Sequence, residues 1–152
     1  MDSYIQRLGK FIRADEVFHA WYSGDLRRMV AALRIQTNPI DRHFLLMGIV
    51  GLTYKNRTDA ESRRLCREVA RLHISEFPSI RGPLRADLGV LPRASTFAQL
   101  ATVLAEDGEF NEAISVCRQA LAFGLSDGTK GDYAGRIERL RKKMALSAPR
   151  DA

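Results

Sequence analysis

Three histidines, two cysteines and one glycine-rich loop are the places where this 152-residue chain could carry out chemistry. His73 and Glu76 stand at i and i+3, so a helix would present both on one face as two metal ligands. A zinc site needs three or four ligands, and this pair supplies two at best. His73 also falls in step with Leu65, Cys66, Val69 and Leu72, which reads as a packing histidine satisfied by a hydrogen bond. His19 and Asp15, one helical turn apart, could form a base–carboxylate pair, but no serine or cysteine nucleophile is tied to them. Cys66 and Cys117 lack CxxC spacing and occupy inward helical positions, where a thiol behaves as a small hydrophobe. Ser126-Asp127-Gly128-Thr129-Lys130-Gly131 holds the residue types of a phosphate loop without the GxxxxGK[ST] order and without a preceding strand. It reads as a helix–helix turn, with anion binding at the start of the next helix left open. The sequence thus predicts no catalytic residue, no metal, no cofactor, and a chain that is not an enzyme.

The frame around these residues is that of a folded globular chain, with 45% apolar, 28% charged and 8% aromatic residues. The formal charge is +6, and arginine supplies 19 of the 24 basic side chains. Residues 1–94 carry 16 basic and 10 acidic groups, 95–127 carry one and five, and 128–152 carry seven and three. A basic surface suits acidic partners such as nucleic acid, though solvated helix faces give the same count. No basic run stands out as interleaved with aromatics of the kind that stack bases. No apolar run reaches the roughly 18 residues of a membrane span, and Met1-Asp2-Ser3 does not open like a signal peptide. The expected location is cytoplasmic, with no membrane partner.

The elements that must position these residues read as helical almost throughout. From Ser3, Tyr4, Leu8, Phe11, Ala14, Phe18, Trp21 and Tyr22 recur at helical steps, which predicts one amphipathic helix. Gly24-Asp25 ends it and caps a second helix with Leu26, Met29, Val30 and Leu33. Asp41 is expected to cap a third helix from about Arg42. Its run 44–52 is apolar enough to be a buried strand, but its neighbours favour a buried helix in which Gly48 and Gly51 admit a close neighbour. Thr58 and Glu61 have capping-box spacing ahead of a fourth helix. Residues 78–94 hold three prolines and two glycines, which predicts an ordered connector packed on the core or, alternatively, a boundary between two subdomains.

The clearest pattern is FAQLATVLAEDGEFNEAISVCRQALAFGL, Phe97 to Leu125. Phe97, Leu100, Ala101 and Leu104 share one helix face, Gly108 sits in a turn, and Phe110, Ala113, Ile114, Cys117 and Ala120 line a second helix. This segment resembles a tetratricopeptide repeat (TPR), a helix–turn–helix unit of 34 residues with small and large apolar residues at fixed offsets. The family's terminal proline is replaced by Leu125. Weaker units align at Val17–Leu33 and from Phe44, with irregular spacing between them. After the turn at 126–131, Asp132 is a candidate cap for a last helix in which Tyr133, Ile137, Leu140 and Met144 form one stripe. That helix reads as the cap of the array, and Arg136, Arg139, Arg141, Lys142 and Lys143 form its polar outer face.

The sequence therefore predicts an all-α single domain of six or seven helices. Residues 1–77 form its N-terminal helices, 78–94 the connector, 95–125 the best TPR-like unit and 132–146 the capping helix. The resemblance implies a protein–protein interaction module, an adaptor or regulator that binds a peptide or protein in a groove. Under that resemblance Phe18, Trp21 and Tyr22 lie near the groove side of the first unit, and otherwise they fill a core. Arg136, Arg139, Lys142 and Lys143 complete the candidate binding residues. The competing class is a nucleic-acid-associated protein that uses these cations together with Arg63, Arg64, Arg67 and Arg71.

Overall fold

A computed structural model describes residues 2–148 of the chain. Its elements are β1 (Tyr4–Arg7), β2 (Lys10–Arg13), α1 (Glu16–Ser23), α2 (Leu26–Ala31), α3 (Pro39–Lys55), α4 (Ala60–Leu88), α5 (Ser95–Glu106), α6 (Phe110–Ala122) and α7 (Asp132–Ser147). A 3-10 turn, Ala32–Arg34, follows α2. Among the described residues the fold is all-α apart from one two-stranded ribbon. The chain divides into two compact units, residues 1–92 and 93–152.

The ribbon replaces the first half of the helix predicted from Ser3. Leu8 and Gly9 both take positive φ, 54° and 79°, the geometry of a two-residue hairpin turn. Glycine between two β-branched isoleucines disfavours helix and suits this turn. Pairing is antiparallel, with Ile5 opposite Ile12 and Gln6 opposite Phe11. The helical spacing of Tyr4, Leu8 and Phe11 thus coincided with a strand alternation that puts Ile5 and Ile12 half-buried and Tyr4, Gln6, Phe11 and Arg13 outside. Asp15 then accepts from the Phe18 amide and starts α1.

Asp25 caps α2 as predicted, but Asn38 rather than Asp41 caps α3, with Pro39 in its first turn. Asp41 turns inward instead and is fully buried. The apolar run 44–52 is helix, and Leu45, Leu46, Ile49 and Val50 are all buried in it. A Cβ at Gly48 would come within 2.5 Å of Met29 Cε, so glycine there makes room for the α2 side chain. The cap of α4 is Asp59, one residue beyond the predicted Thr58.

Helix α4 runs through Pro78 and Pro83 to Leu88, over most of the predicted connector. Phe77, Ile80 and Leu84 keep its inner stripe buried at steps of three and four, while Pro78 is exposed and Pro83 half-buried. Burial on that stripe outweighs the two amide donors that proline removes. His43 meets His73 and Val50 meets Cys66, so α3 and α4 pack antiparallel as the centre of the first unit.

In the second unit α6 packs against both α5 and α7. Phe97, Leu100 and Leu104 of α5, Ala113, Cys117 and Ala120 of α6, and Tyr133, Ile137 and Leu140 of α7 are among its buried residues, as their spacing predicts. Gly131, rather than Asp132, occupies the cap position of α7. The Asp132 carboxylate accepts from the amides of Tyr133 and Asp127.

Candidate functional site

Because α6 packs on both neighbours, α5 and α7 are left with a groove between them of about 450 Å³. Its apolar lining comes from Ala101 and Ala105 on α5, Phe110 at the start of α6, and Leu140 and Leu146 on α7. Alanine at 101 and 105 keeps the α5 side low, which gives the groove its depth. Arg136, Arg139 and Lys143 project along the α7 side, opposite Glu106. Leu146 is 87% exposed, an apolar side chain at the open end.

The three cations differ in freedom. Arg136 Nε donates to Asp127 Oδ2 at 3.0 Å, and its Nη1 reaches Thr102 Oγ1 at 3.4 Å. Burial pushes the Asp127 carboxyl up, but hydrogen bonds from the Thr129 hydroxyl and amide and from Arg136 outweigh it and hold it at about 2. Arg136 is thereby fixed to the turn at 126–131. Among the described residues Arg139 and Lys143 form no ion pair and stand at the groove with their charge unspent. Lys142 is exposed on α7 and does not line the groove. Of the four basic candidates read from the sequence, three therefore come together.

The aromatic candidates lie in the first unit and form one ring cluster, with Phe18 edge-on to Trp21 at a centroid distance of 5.2 Å and Trp21 edge-on to Tyr22 at 6.1 Å. Trp21 is half-buried against the Phe44 ring, with centroids 5.0 Å apart, and its Nε1 donates to Asp41 Oδ1 at 3.0 Å. It belongs to the packing of the unit. Phe18 lies between the Arg7 guanidinium, 5.8 Å from its centroid, and the stacked ring of Tyr22 at 5.6 Å. Tyr22 is 74% exposed.

Around Trp21 stands a polar interior that the sequence reading did not find. Buried Asp41 accepts from Arg7 at 2.8 Å, from Trp21, and from Asn38 Nδ2 at 2.6 Å. Arg42 grips Glu76 through Nε and Nη2, both at 2.8 Å, and donates to the Leu33 carbonyl. His43 Nδ1 lies 2.9 Å from His73 Nε2, and both rings are buried. Burial lowers the His43 pKa to about 4 and the His73 pKa to about 3, so both are neutral at pH 7. His73 and Glu76, paired by their spacing, thus go to different partners. No group of three or more possible metal ligands exists among the described residues.

The remaining chemical candidates are accounted for by packing. Asp15 accepts from Thr37 Oγ1 as well as from the Phe18 amide, which commits the carboxylate paired by spacing with His19. Burial pushes the Cys117 thiol up to about 11 and raises Cys66 as well, so both stay protonated. Compared with known proteins, the chain matches no family model, no curated sequence and no solved structure.

Proposed function

We propose that the chain is a protein-interaction module, an adaptor or regulator, and that the α5–α7 groove holds a segment of its partner. The observation that carries this reading is the groove itself, an apolar floor left open beside two cations without ion pairs. An extended or helical segment could lay apolar side chains on Ala101, Ala105 and Phe110 while its polar atoms meet Arg139 and Lys143. The TPR-like pattern at 97–125 supports the same reading, since that family binds peptides between helices. In this reading the chain binds its partner without transforming it and works in the cytoplasm.

Ala105→Trp tests the proposal, because the indole would fill the groove from a half-buried position on its wall. The immobilised wild-type chain is expected to retain a discrete partner from nuclease-treated native lysate, and the variant to lose it with an unchanged melt. Equal capture by both would overturn the groove reading. Capture that disappears on nuclease treatment would instead favour nucleic acid as the partner. On α4 that reading is weaker, because Arg64 is already engaged with Glu61 and Glu68.

A further inference from the structure

The β1–β2 ribbon is anchored on one face and bare on the other. Underneath, Arg7 reaches the buried Asp41, Ile5 and Ile12 are half-buried, and the Leu8 amide donates to Asp87 on α4. On the outward face Tyr4 is 66% exposed and Phe11 77% exposed. The register Tyr4↔Arg13 and Gln6↔Phe11 makes the two rings diagonal neighbours on adjacent strands. Such positions are about 7–8 Å apart, within reach of one ligand. Between and beside the rings stand an amide, Gln6, and a guanidinium, Arg13, whose ion pair with Asp2 is exposed at both ends.

From this arrangement we propose that the outward face of the ribbon is a stacking platform for single-stranded nucleic acid. Aromatic rings presented on a sheet bind bases through their faces, whatever the base, and neighbouring cations take the phosphates. The platform has both parts in one ten-residue segment, from Tyr4 to Arg13. Rigid anchoring underneath lowers the ordering cost of binding. The unit that carries it has 15 basic and 10 acidic groups in residues 1–92, an excess that attracts a polyanion.

Other occupants fit the face less well. A second copy stacked ribbon to ribbon would bring Arg13 toward its own equivalent, and like charges oppose that contact. A protein hot spot needs a contiguous apolar patch, whereas here the rings are separated by Gln6 and Arg13.

The test is fluorescence anisotropy with fluorescein-labelled ten-nucleotide oligouridylate and oligothymidylate, on the full chain at low and moderate salt. Wild type is expected to bind both saturably and more weakly as salt rises. Tyr4→Ala/Phe11→Ala should weaken binding by at least about tenfold, while Tyr4→Phe/Phe11→Tyr should bind like wild type. Arg118→Glu, at an exposed position of α6 outside the groove, should leave the ribbon-dependent affinity within about threefold. Trp21 emission checks that each variant is folded. If the alanine variant is unfolded, crosslinking of a 5-iodouridine oligonucleotide to wild type decides, with adducts expected on Tyr4 or Phe11. The proposal is overturned by an absence of saturable binding, by an alanine variant that binds as well as wild type, or by adducts elsewhere. It also fails if sedimentation shows a wild-type dimer that the alanine variant loses, with no dependence of oligonucleotide binding on the rings.

Discussion

At the start of α3 the first unit turns Asp41, Arg42 and His43 inward, one after another, and they take Arg7 of β1 and Glu76 and His73 of α4 as partners. In the second unit α5, α6 and α7 meet through Phe97, Leu104, Ala113, Ala120, Tyr133 and Ile137, with Thr96 as the one polar side chain among its described buried residues. The contrast follows from what each unit has to hold. Three similar helices can be registered by large and small side chains alone. A ribbon, two short helices and two long ones have no common period, and directional polar contacts fix them where shape cannot. Those contacts make the first unit sensitive to charge and pH, and the second sensitive to volume.

Removing α7 should have the largest effect. Truncation after Lys130 strips Tyr133, Ile137 and Leu140 from the second unit, each worth about 1.5–3 kcal/mol of burial. That unit should lose cooperative unfolding by circular dichroism. Trp21, the single tryptophan, should still report an intact first-unit transition by fluorescence. Loss of both together would mean the two units do not fold separately.

Asp41→Ala should come next, and should reverse the pattern. It leaves Arg7 and the Trp21 and Asn38 donors without their acceptor, a loss of about 3–5 kcal/mol for breaking a buried pair. The Trp21 transition should shift while the residual helical signal of the second unit stays.

Acid should act on the same side. The pKa values of His43 and His73 are lowered in the fold, so their contribution is complete above the unfolded value near 6.5 and is lost as pH falls toward 4. At pH 5 each of the two buried rings should cost the first unit about 2 kcal/mol relative to pH 7, about 4 kcal/mol for the pair. The second unit contains no histidine, and its Asp127 is held at about 2, so its melt should be flat over that range.

Much of the second unit was legible because its contacts are local and periodic. The helix–turn–helix at 97–122 and the stripe Tyr133–Ile137–Leu140 followed from spacing alone, and so did the grouping of cations on α7. The groove did not, because it depends on α6 holding α5 and α7 apart. In the first unit Arg7 and Asp41 are 34 residues apart, as are Arg42 and Glu76, and no local pattern marks such pairs. The ribbon was hidden by a coincidence, since Tyr4, Leu8 and Phe11 satisfy a helical period while Ile5 and Ile12 satisfy a strand. Pro78 and Pro83 misled in the other direction, because the buried stripe of α4 decides its length.

Two smaller changes sharpen the contrast. Ala113→Leu should destabilise the second unit by about 1–3 kcal/mol through overpacking at a fully buried position, read by circular dichroism, without moving the Trp21 transition. Leu8→Asn should stabilise the first unit by up to about 1 kcal/mol, because asparagine tolerates the left-handed φ of 54° better than leucine. A fall in the Trp21 midpoint would mean that the leucine side chain contributes more than its backbone costs.

The most direct measurement of the groove's role is site-specific photo-crosslinking. A benzophenone amino acid placed at Ala105 or Leu146, on the groove, is expected to give the same discrete adduct with a partner protein in cells. Placed at Arg118, exposed on α6 and away from the groove lining, it should give none. Adducts that are absent from both groove positions, or identical from Arg118, would contradict the assignment of this groove as the partner site.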